Sequence, residues 1–597
     1  MFRTFKTSDC RKLQELSGSG WTFTPLEGSN IGAENYSEKV NVHPNLGKSY
    51  KVSVPGCIEN IPSFESFRGT GRYEKTFVAD GNIRLVFKGV SHTGTVFLDG
   101  KELGRHYNAY TPFEFVIKNL PQALHKLEVV VDNRFGEDSA LHVPNDYMTY
   151  LGITRGVFTQ TLGDAFIDYF HVTPILNDGK WQLKVSIRVT NLLNEDLKVH
   201  LEVEMPELIE DYDASLHKGS KGPILDKCLN LKPYEGLVTT EIVSLEDVSQ
   251  SFKSEQISLW SPEHPALYSI KARLVEAGEI IDDNIERFGF RTIETKGSHI
   301  LLNGKMLRIK GFCRHEDHPM FGCALPFQAM DYDLQLIKDM GANAIRTSHY
   351  PNDELFLDLC DERGILVWEE NHARGLSEEQ MRNPNFESQA EMCIEEMIKN
   401  HINHPSIIIW GILNECASDT EYGRQCYAKQ YELIRSMDST RPCSSASCKF
   451  MNDICLDLPD IVSYNLYPEW YVEKSSKDWV SENYDWVQKQ SGSSGKPFLI
   501  TEIGAGAIYG YRSPIRSKWT EEYQAEALSH QISAVLQKEG CSGIFIWQFC
   551  DARISFEWFQ TRPRTMNNKG VVDEYRRPKL SYDVVKELYS SYSDYFE

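Results

Sequence analysis

The chain has 597 residues, 41% of them hydrophobic and 11% aromatic, enough for several domains with real cores. Its 63 basic and 85 acidic residues give a net charge of −22, which argues against a nucleic-acid partner and favours solubility. No apolar run reaches the roughly 18 residues that a membrane span needs, and the polar opening from Met1 to Gly20 holds no signal-peptide core, so a cytoplasmic protein is expected.

The fourteen cysteines are scattered without a CxxC pair and read as reduced thiols, several at core positions. From Trp21 to about Phe170 the text is β. Arg84–Val90, Thr95–Leu98 and Lys126–Val131 are strand-like, and Asp99-Gly100 is a hairpin signal. These features predict a jelly-roll β-sandwich over 1–170. From 171 to 290 the alternation is cleaner: Trp181, Leu183, Val185, Ile187 and Val189 share one face, and Leu197, Val199, Leu201 and Val203 repeat the pattern. Asp178-Gly179 turns into the first of these strands, and the whole predicts an immunoglobulin-like β-sandwich.

After about Arg291 strands alternate with helices. The strands are Met306–Gly311, Ala344–Thr347, Ile365–Trp368, Ile407–Ile412, Cys443–Ala446, Ile461–Tyr464, Phe498–Thr501 and Gly543–Trp547. Helical segments include Asp331–Met340, Asp353–Glu362, Gln389–Asn400, Tyr422–Met437 and Glu521–Lys538. Eight strands with intervening helices predict a (β/α)8 TIM barrel over 291–597. The stretch His404–Glu415 carries three consecutive Ile residues, suited to a strand buried on both faces, and ends in Asn414-Glu415. Pro497–Glu502 repeats the design 87 residues later (502 − 415), and two carboxylates at one barrel rim are the minimum equipment for glycoside hydrolysis.

Asn343-Ala344-Ile345-Arg346-Thr347-Ser348-His349-Tyr350-Pro351 and Asn403-His404-Pro405-Ser406 through Asn414-Glu415 resemble the two signatures of glycoside hydrolase family 2. The domain order is also similar to that family's. The resemblance implies that Glu415 is the acid/base and Glu502 the nucleophile of a retaining reaction. Within the family the likeness is to β-glucuronidases. Asn567-Asn568-Lys569 resembles their element for the sugar carboxylate, and Asp146 their substrate-facing aspartate from the first domain. Asn465, Tyr467 and Tyr471 resemble their wall after the sixth strand, and Trp547 the Trp ending the eighth. A basic residue that helps hold the carboxylate in those enzymes falls here at Pro563, between Arg562 and Arg564, so either arginine is a candidate. The segment from Glu370 to Phe386 is short for a loop over the pocket.

Asn414 suits a hydrogen bond to the sugar's 2-hydroxyl, and Trp547 a sugar platform. His315 and His349 are candidates for hydroxyl contacts or for orienting Glu502, with packed rim histidines as the alternative. The charge of Glu502 is expected to raise the proton affinity of Glu415. Arg314-His315-Glu316-Asp317-His318 has metal-ligand types without the spacing that puts two His on one helix face, and no metal or other cofactor is expected. Gly504–Gly510 misses the dinucleotide spacing and reads as a rim loop beside Glu502. The expected function is a retaining exo-β-glucuronidase, with β-galactosidase or β-galacturonidase as alternatives and a non-catalytic sugar binder disfavoured by the presence of both carboxylates. The resemblance also implies a homo-oligomer, dimer or tetramer.

Overall fold

The computed structural model describes residues 2–31, 45–209, 223–248 and 253–596. The first domain is built on an eight-stranded antiparallel sheet whose longest members, Phe67–Phe87 and Phe113–Asp132, pair along their lengths. The pairing slips between Ala79 and Ile83, where bulges bend the long strands into the jelly-roll sandwich. Trp21, Phe23, Leu85, Phe87, Val96, Leu127 and Val129 fill its core. The Asp99-Gly100 hairpin forms, with both residues at positive φ and Leu98 opposite Lys101.

In the second domain, Ala165–Asn177, Lys180–Asn191 and Gly236–Ser244 make one sheet, and a five-stranded sheet faces it. The two alternating runs read from the sequence are buried there, as period-two patterning requires. The strand opening this sandwich begins at Ala165, so it straddles position 170.

The third domain is a closed barrel of eight parallel strands: Ile309–Cys313, Ala344–Arg346, Leu366–Glu370, Ile407–Ile412, Cys443–Ser447, Ile461–Asn465, Phe498–Ile503 and Cys541–Ile546. The first strand was expected at Met306–Gly311 and lies further along. Asn303-Gly304, both at positive φ, instead folds His299–Leu302 back on Lys305–Leu307 as a hairpin outside the barrel. Helices Phe327–Asp339, Glu354–Arg363, Phe386–His401, Glu421–Met437 and Glu521–Leu536 overlap the five expected segments.

The first sandwich reaches over the C-terminal ends of the barrel strands. Arg155 is buried against Glu316 at 2.8 Å and also donates to the Pro351 carbonyl. Tyr110 stacks on Tyr350 with ring centroids 4.0 Å apart, and Tyr147 stacks on His315 at 5.0 Å. This contact fixes the loop that carries Asp146.

Candidate active site

Gly411 in the fourth barrel strand leaves room that Trp368 fills. A side chain there would start 2.2 Å from the Trp368 indole nitrogen and 2.7 Å from the Glu370 Cβ. Beyond the strand the chain turns sharply, with Leu413 at φ 48° and Glu415 at φ 55°, a conformation non-glycine residues seldom adopt. Three hydrogen bonds hold the turn: Leu413 N–H to Asn371 Oδ1, Gly375 N–H to the Asn414 carbonyl, and Glu415 N–H to the Ala446 carbonyl. The turn brings Glu415 to a cavity of about 260 Å³ that Glu502 also lines.

Glu502 lies inside the seventh strand and is fully buried. Arg346 Nη1 donates to its Oε1 at 2.9 Å, and Tyr467 Oη to its Oε2 at 2.7 Å. His349 Nε2 is 3.8 Å from Oε1. Burial, then the charge of Glu415, push the Glu502 carboxyl up to about 7, against the pull of Arg346 and Tyr467. Glu502 is enclosed, whereas Glu415 stands partly open at the mouth.

Arg346 is the hub beneath the pair. It donates to both oxygens of Glu370, at 2.9 and 3.0 Å, and to Asn414 Oδ1 at 2.7 Å. Asn465 Nδ2 donates to Asn414 Oδ1 at 3.1 Å and to Glu415 Oε1 at 3.0 Å, while Thr501 donates to Asn465 Oδ1. With Asn414 Oδ1 occupied, its buried Nδ2 has no partner and is a donor held ready. His349 Nδ1 meets Glu370 at 2.8 Å, and burial followed by the charges of Arg346 and Arg374 keeps the ring neutral. A neutral ring donating from Nδ1 presents Nε2 as an acceptor, and that atom is also unpartnered.

The opposite wall is cationic. Lys569 is 3% exposed, donates to Tyr471 Oη at 2.9 Å and lies over the ring of Tyr471. Arg562 donates to the same Tyr471 oxygen at 3.1 Å. Arg562 lines the cavity, while Arg564 points to Glu574. Asn567 Nδ2 donates to Asp146 Oδ2 at 3.2 Å, whereas Asn568 turns away to Asp551. The loop expected to form a rim beside Glu502 supports this wall, since Ala507 N–H donates to the Asn568 carbonyl at 2.8 Å. Burial alone would raise the Asp146 carboxyl, but Arg374, Lys569 and Arg562 outweigh it and hold it down at about 2.

Of the residues singled out in the sequence, Asp146, Glu415, Asn465, Tyr467, Tyr471, Glu502, Trp547, Arg562 and Lys569 line the cavity. Asn414, His349 and Asn567 stand one layer behind, bonded to lining residues or to their supports. His315 also falls outside the lining. Its Nδ1 pairs with Tyr350 Oη, its ring packs on Tyr147, and burial holds its proton affinity down at about 3. Trp547 has His349 stacked against it at 5.0 Å. The side chains of the Arg314–His318 segment go to separate partners, among them Asp333, Arg155 and Tyr150.

Sequence reasoning passed over Arg374. It follows the third strand, lies 3.3 Å from Asp146 and 3.5 Å from Glu415, and donates to Asn145 at 2.7 Å. Its one signal was a basic residue four positions past Glu370 at a barrel rim. Arg346 and Glu370 were likewise given no role, although Arg346 sits inside a quoted motif. A larger cleft of about 700 Å³ opens where the three domains meet. There Arg3 is paired with Asp358, Lys88 with Glu354 and Arg11 with Asp282.

The TIM barrel domain of glycosyl hydrolases family 2 matches residues 293–593, the family's central domain 165–291 and its sugar binding domain 39–162. A family 2 β-galacturonidase from Eisenbergiella tayi, solved bound to galacturonate, is 55% identical, with both chains covered in full and a TM-score of 0.90. A β-glucuronidase from Paenibacillus borealis is 25% identical over 98% of each chain. The human β-glucuronidase is 27% identical over 98% of this chain and 91% of its own. With its barrel model alone spanning half of the sequence, and the two companion models filling the order read from the strands, this chain belongs to glycosyl hydrolases family 2.

Proposed function

We propose that the protein is a retaining exo-β-uronidase that releases a terminal uronic acid from its aglycone, as a β-glucuronidase does. The observation that carries this reading is the buried Lys569 ammonium, whose side chain donates to the Tyr471 hydroxyl, on the wall facing two carboxylates. Burying an ammonium is costly unless an anion completes its environment, and a uronate carboxylate does so. Arg562 adds a second cation and Asn567 an amide beside it. The cavity is of monosaccharide size, which supports removal of one terminal sugar.

In the proposed mechanism Glu502 attacks the anomeric carbon while Glu415 gives its proton to the leaving oxygen. The glycosyl-enzyme ester then removes the charge of Glu502, and Glu415, now a carboxylate, takes a proton from the attacking water. Arg346 and Tyr467 keep Glu502 aimed and stabilise its ionised form in the buried site. Burial and the nearby Glu502 raise the Tyr467 hydroxyl well above the ordinary phenol range, so it remains a donor. Asn414 Nδ2 binds the 2-hydroxyl, a bond that strengthens as positive charge develops on the ring. Asp146, whose Oδ2 accepts from Asn567 and whose Oδ1 lies 3.3 Å from Arg374, presents its carboxylate to a ring hydroxyl.

A second reading, galacturonide as substrate, rests on the full-length 55% identity to the Eisenbergiella tayi enzyme. The two readings share the whole mechanism and differ at the 4-hydroxyl. The test is kcat/KM for three aryl β-glycosides of one phenol: glucuronide, galacturonide and galactoside. Preference for either uronide over the galactoside supports a uronidase, and the larger uronide value names the sugar. A preferred galactoside overturns the reading. We also place the protein in the cytoplasm, since all fourteen cysteines are free thiols, and propose a homo-oligomer, which light scattering decides. No described helix is long and apolar enough to cross a membrane.

A further inference from the structure

Cys57 and Cys323 lie far apart in sequence, 266 positions, yet their Sγ atoms are 3.7 Å apart. Cys57 belongs to the first sandwich, just before the short turn Ile58–Asn60, and Cys323 to the loop that follows the first barrel strand. No other two Sγ atoms approach each other within hydrogen-bonding reach among the described residues. The approach depends on Gly322, at φ +58°, where a Cβ would stand 2.7 Å from the Cys57 sulfur. Cys57 packs with Met148 and Tyr150, and Cys323, Ala324 and Phe556 close over them. Tyr150 follows Asp146 by four positions, and Phe556 begins the turn that carries Trp558 into the pocket lining. The two sulfurs therefore sit one layer behind the active-site wall, where the first sandwich meets the barrel.

We propose that Cys57 and Cys323 form an oxidisable dithiol that closes into a covalent staple between the first sandwich and the barrel. The oxidant is a small disulfide. The Cys323 thiolate attacks one sulfur of it, forming a mixed disulfide and releasing one thiol. The Cys57 thiolate then attacks the Cys323 sulfur, forming the protein disulfide and releasing the second thiol. Two protein thiols lose two electrons and two protons, and the small disulfide gains them. Cys323 is the entry point because it is partly exposed, whereas Cys57 is buried. The contact with Cys57, followed by burial, holds the Cys323 thiol well above the usual range, so the exchange is slow at neutral pH and faster in alkali.

The test treats the full-length protein with oxidised glutathione at mildly alkaline pH, blocks the remaining thiols, and maps peptides without reduction. The expected product is a Cys57–Cys323 linked peptide, lighter than its two halves by two hydrogens. A link across so long a loop restrains the unfolded chain, so the melting temperature is expected to rise by at least ~2 °C and to return on reduction. Cys57→Ser and Cys323→Ser should each abolish both the link and the rise. Recovery of both cysteines as unlinked thiols, or linkage of either to another cysteine, overturns the proposal. So does a rise of equal size in the Cys57→Ser protein.

Discussion

Lys569→Ala removes the ammonium buried in the wall opposite the proposed catalytic pair. In the wild type one of its three N–H groups goes to Tyr471 Oη, and its ring contacts are cation–π only. Lys569 lines the cavity, which on the proposed function receives the uronate carboxylate. A charge-assisted hydrogen bond contributes about 1.5–3 kcal/mol. At 1.36 kcal/mol per tenfold change in rate, its loss lowers kcat/KM for a uronide roughly 10- to 150-fold. The glucoside of the same phenol offers a neutral hydroxymethyl group at that position and is expected to lose little. The assay is the pair of kcat/KM ratios, with circular dichroism as a check on folding. Adding Asn567→Ser should erase most of the remaining preference for the acid sugar. Equal losses on uronide and glucoside would refute the reasoning and make Lys569 a support of the fold or of Glu502.

In Glu415→Ala, glycosides with poor leaving groups should slow by roughly 10²–10⁴-fold and activated aryl glycosides far less, with azide restoring turnover as a glycosyl azide of retained configuration; uniform losses across leaving groups count against the acid/base role. Because Glu502 is raised to about 7, the catalytic pair keeps one proton below that pH, so kcat/KM should fall as pH rises through about 7. That limb should vanish in Glu415→Ala assayed with an activated leaving group, and its persistence would assign it to another residue. Asp146→Ala should cut kcat/KM for uronides at least ~tenfold, since it leaves Arg374 and Asn567 without their shared acceptor; an unchanged value would show that the first sandwich does not shape the site.

The barrel was legible because its strands are short, apolar and buried on both faces; Ile407–Ile412 keeps to its expected bounds, and Ile461–Asn465 runs one residue past the expected Tyr464. The first strand was misplaced because Leu301, Leu302, Met306 and Leu307 are as apolar as barrel residues, and the Asn303-Gly304 turn between them outweighed that likeness. The two glutamates that line the cavity were legible because each follows a run of apolar strand residues. Arg374 was not, because nothing local distinguishes a pocket arginine from a solvated one. Its function depends on Asp146, 228 positions earlier (374 − 146), across a domain contact no periodicity records. The unequal burial of the two glutamates was also invisible in the sequence. Sequence places two carboxylates together without telling which is enclosed, and burial, rather than mutual repulsion, is the larger cause of the shift on Glu502.

The charges lining the pocket explain how its two tasks fit together. Three cations, Arg374, Arg562 and Lys569, face three carboxylates, Asp146, Glu415 and Glu502. Fully ionised, this set is neutral. A bound uronate adds one negative charge to an enclosed, poorly solvated space, where an unbalanced charge is costly. The set becomes neutral again when one carboxylate takes a proton. Asp146 cannot take it near neutral pH, since its neighbours hold it at about 2. The proton therefore goes to the Glu415–Glu502 pair, and the incoming carboxylate strengthens that pair's hold on it. One proton on this pair is also what glycoside cleavage requires, provided it rests on Glu415 when Glu502 attacks. Arg346 and Tyr467 donate to Glu502 and stabilise its ionised form, while the hydrogen-bonded contact of Asn465 and the 3.5 Å approach of Arg374 orient Glu415. A neutral sugar brings no such charge and recruits no proton. On the proposed function, the acid group on the substrate thus helps to load the acid that cleaves it.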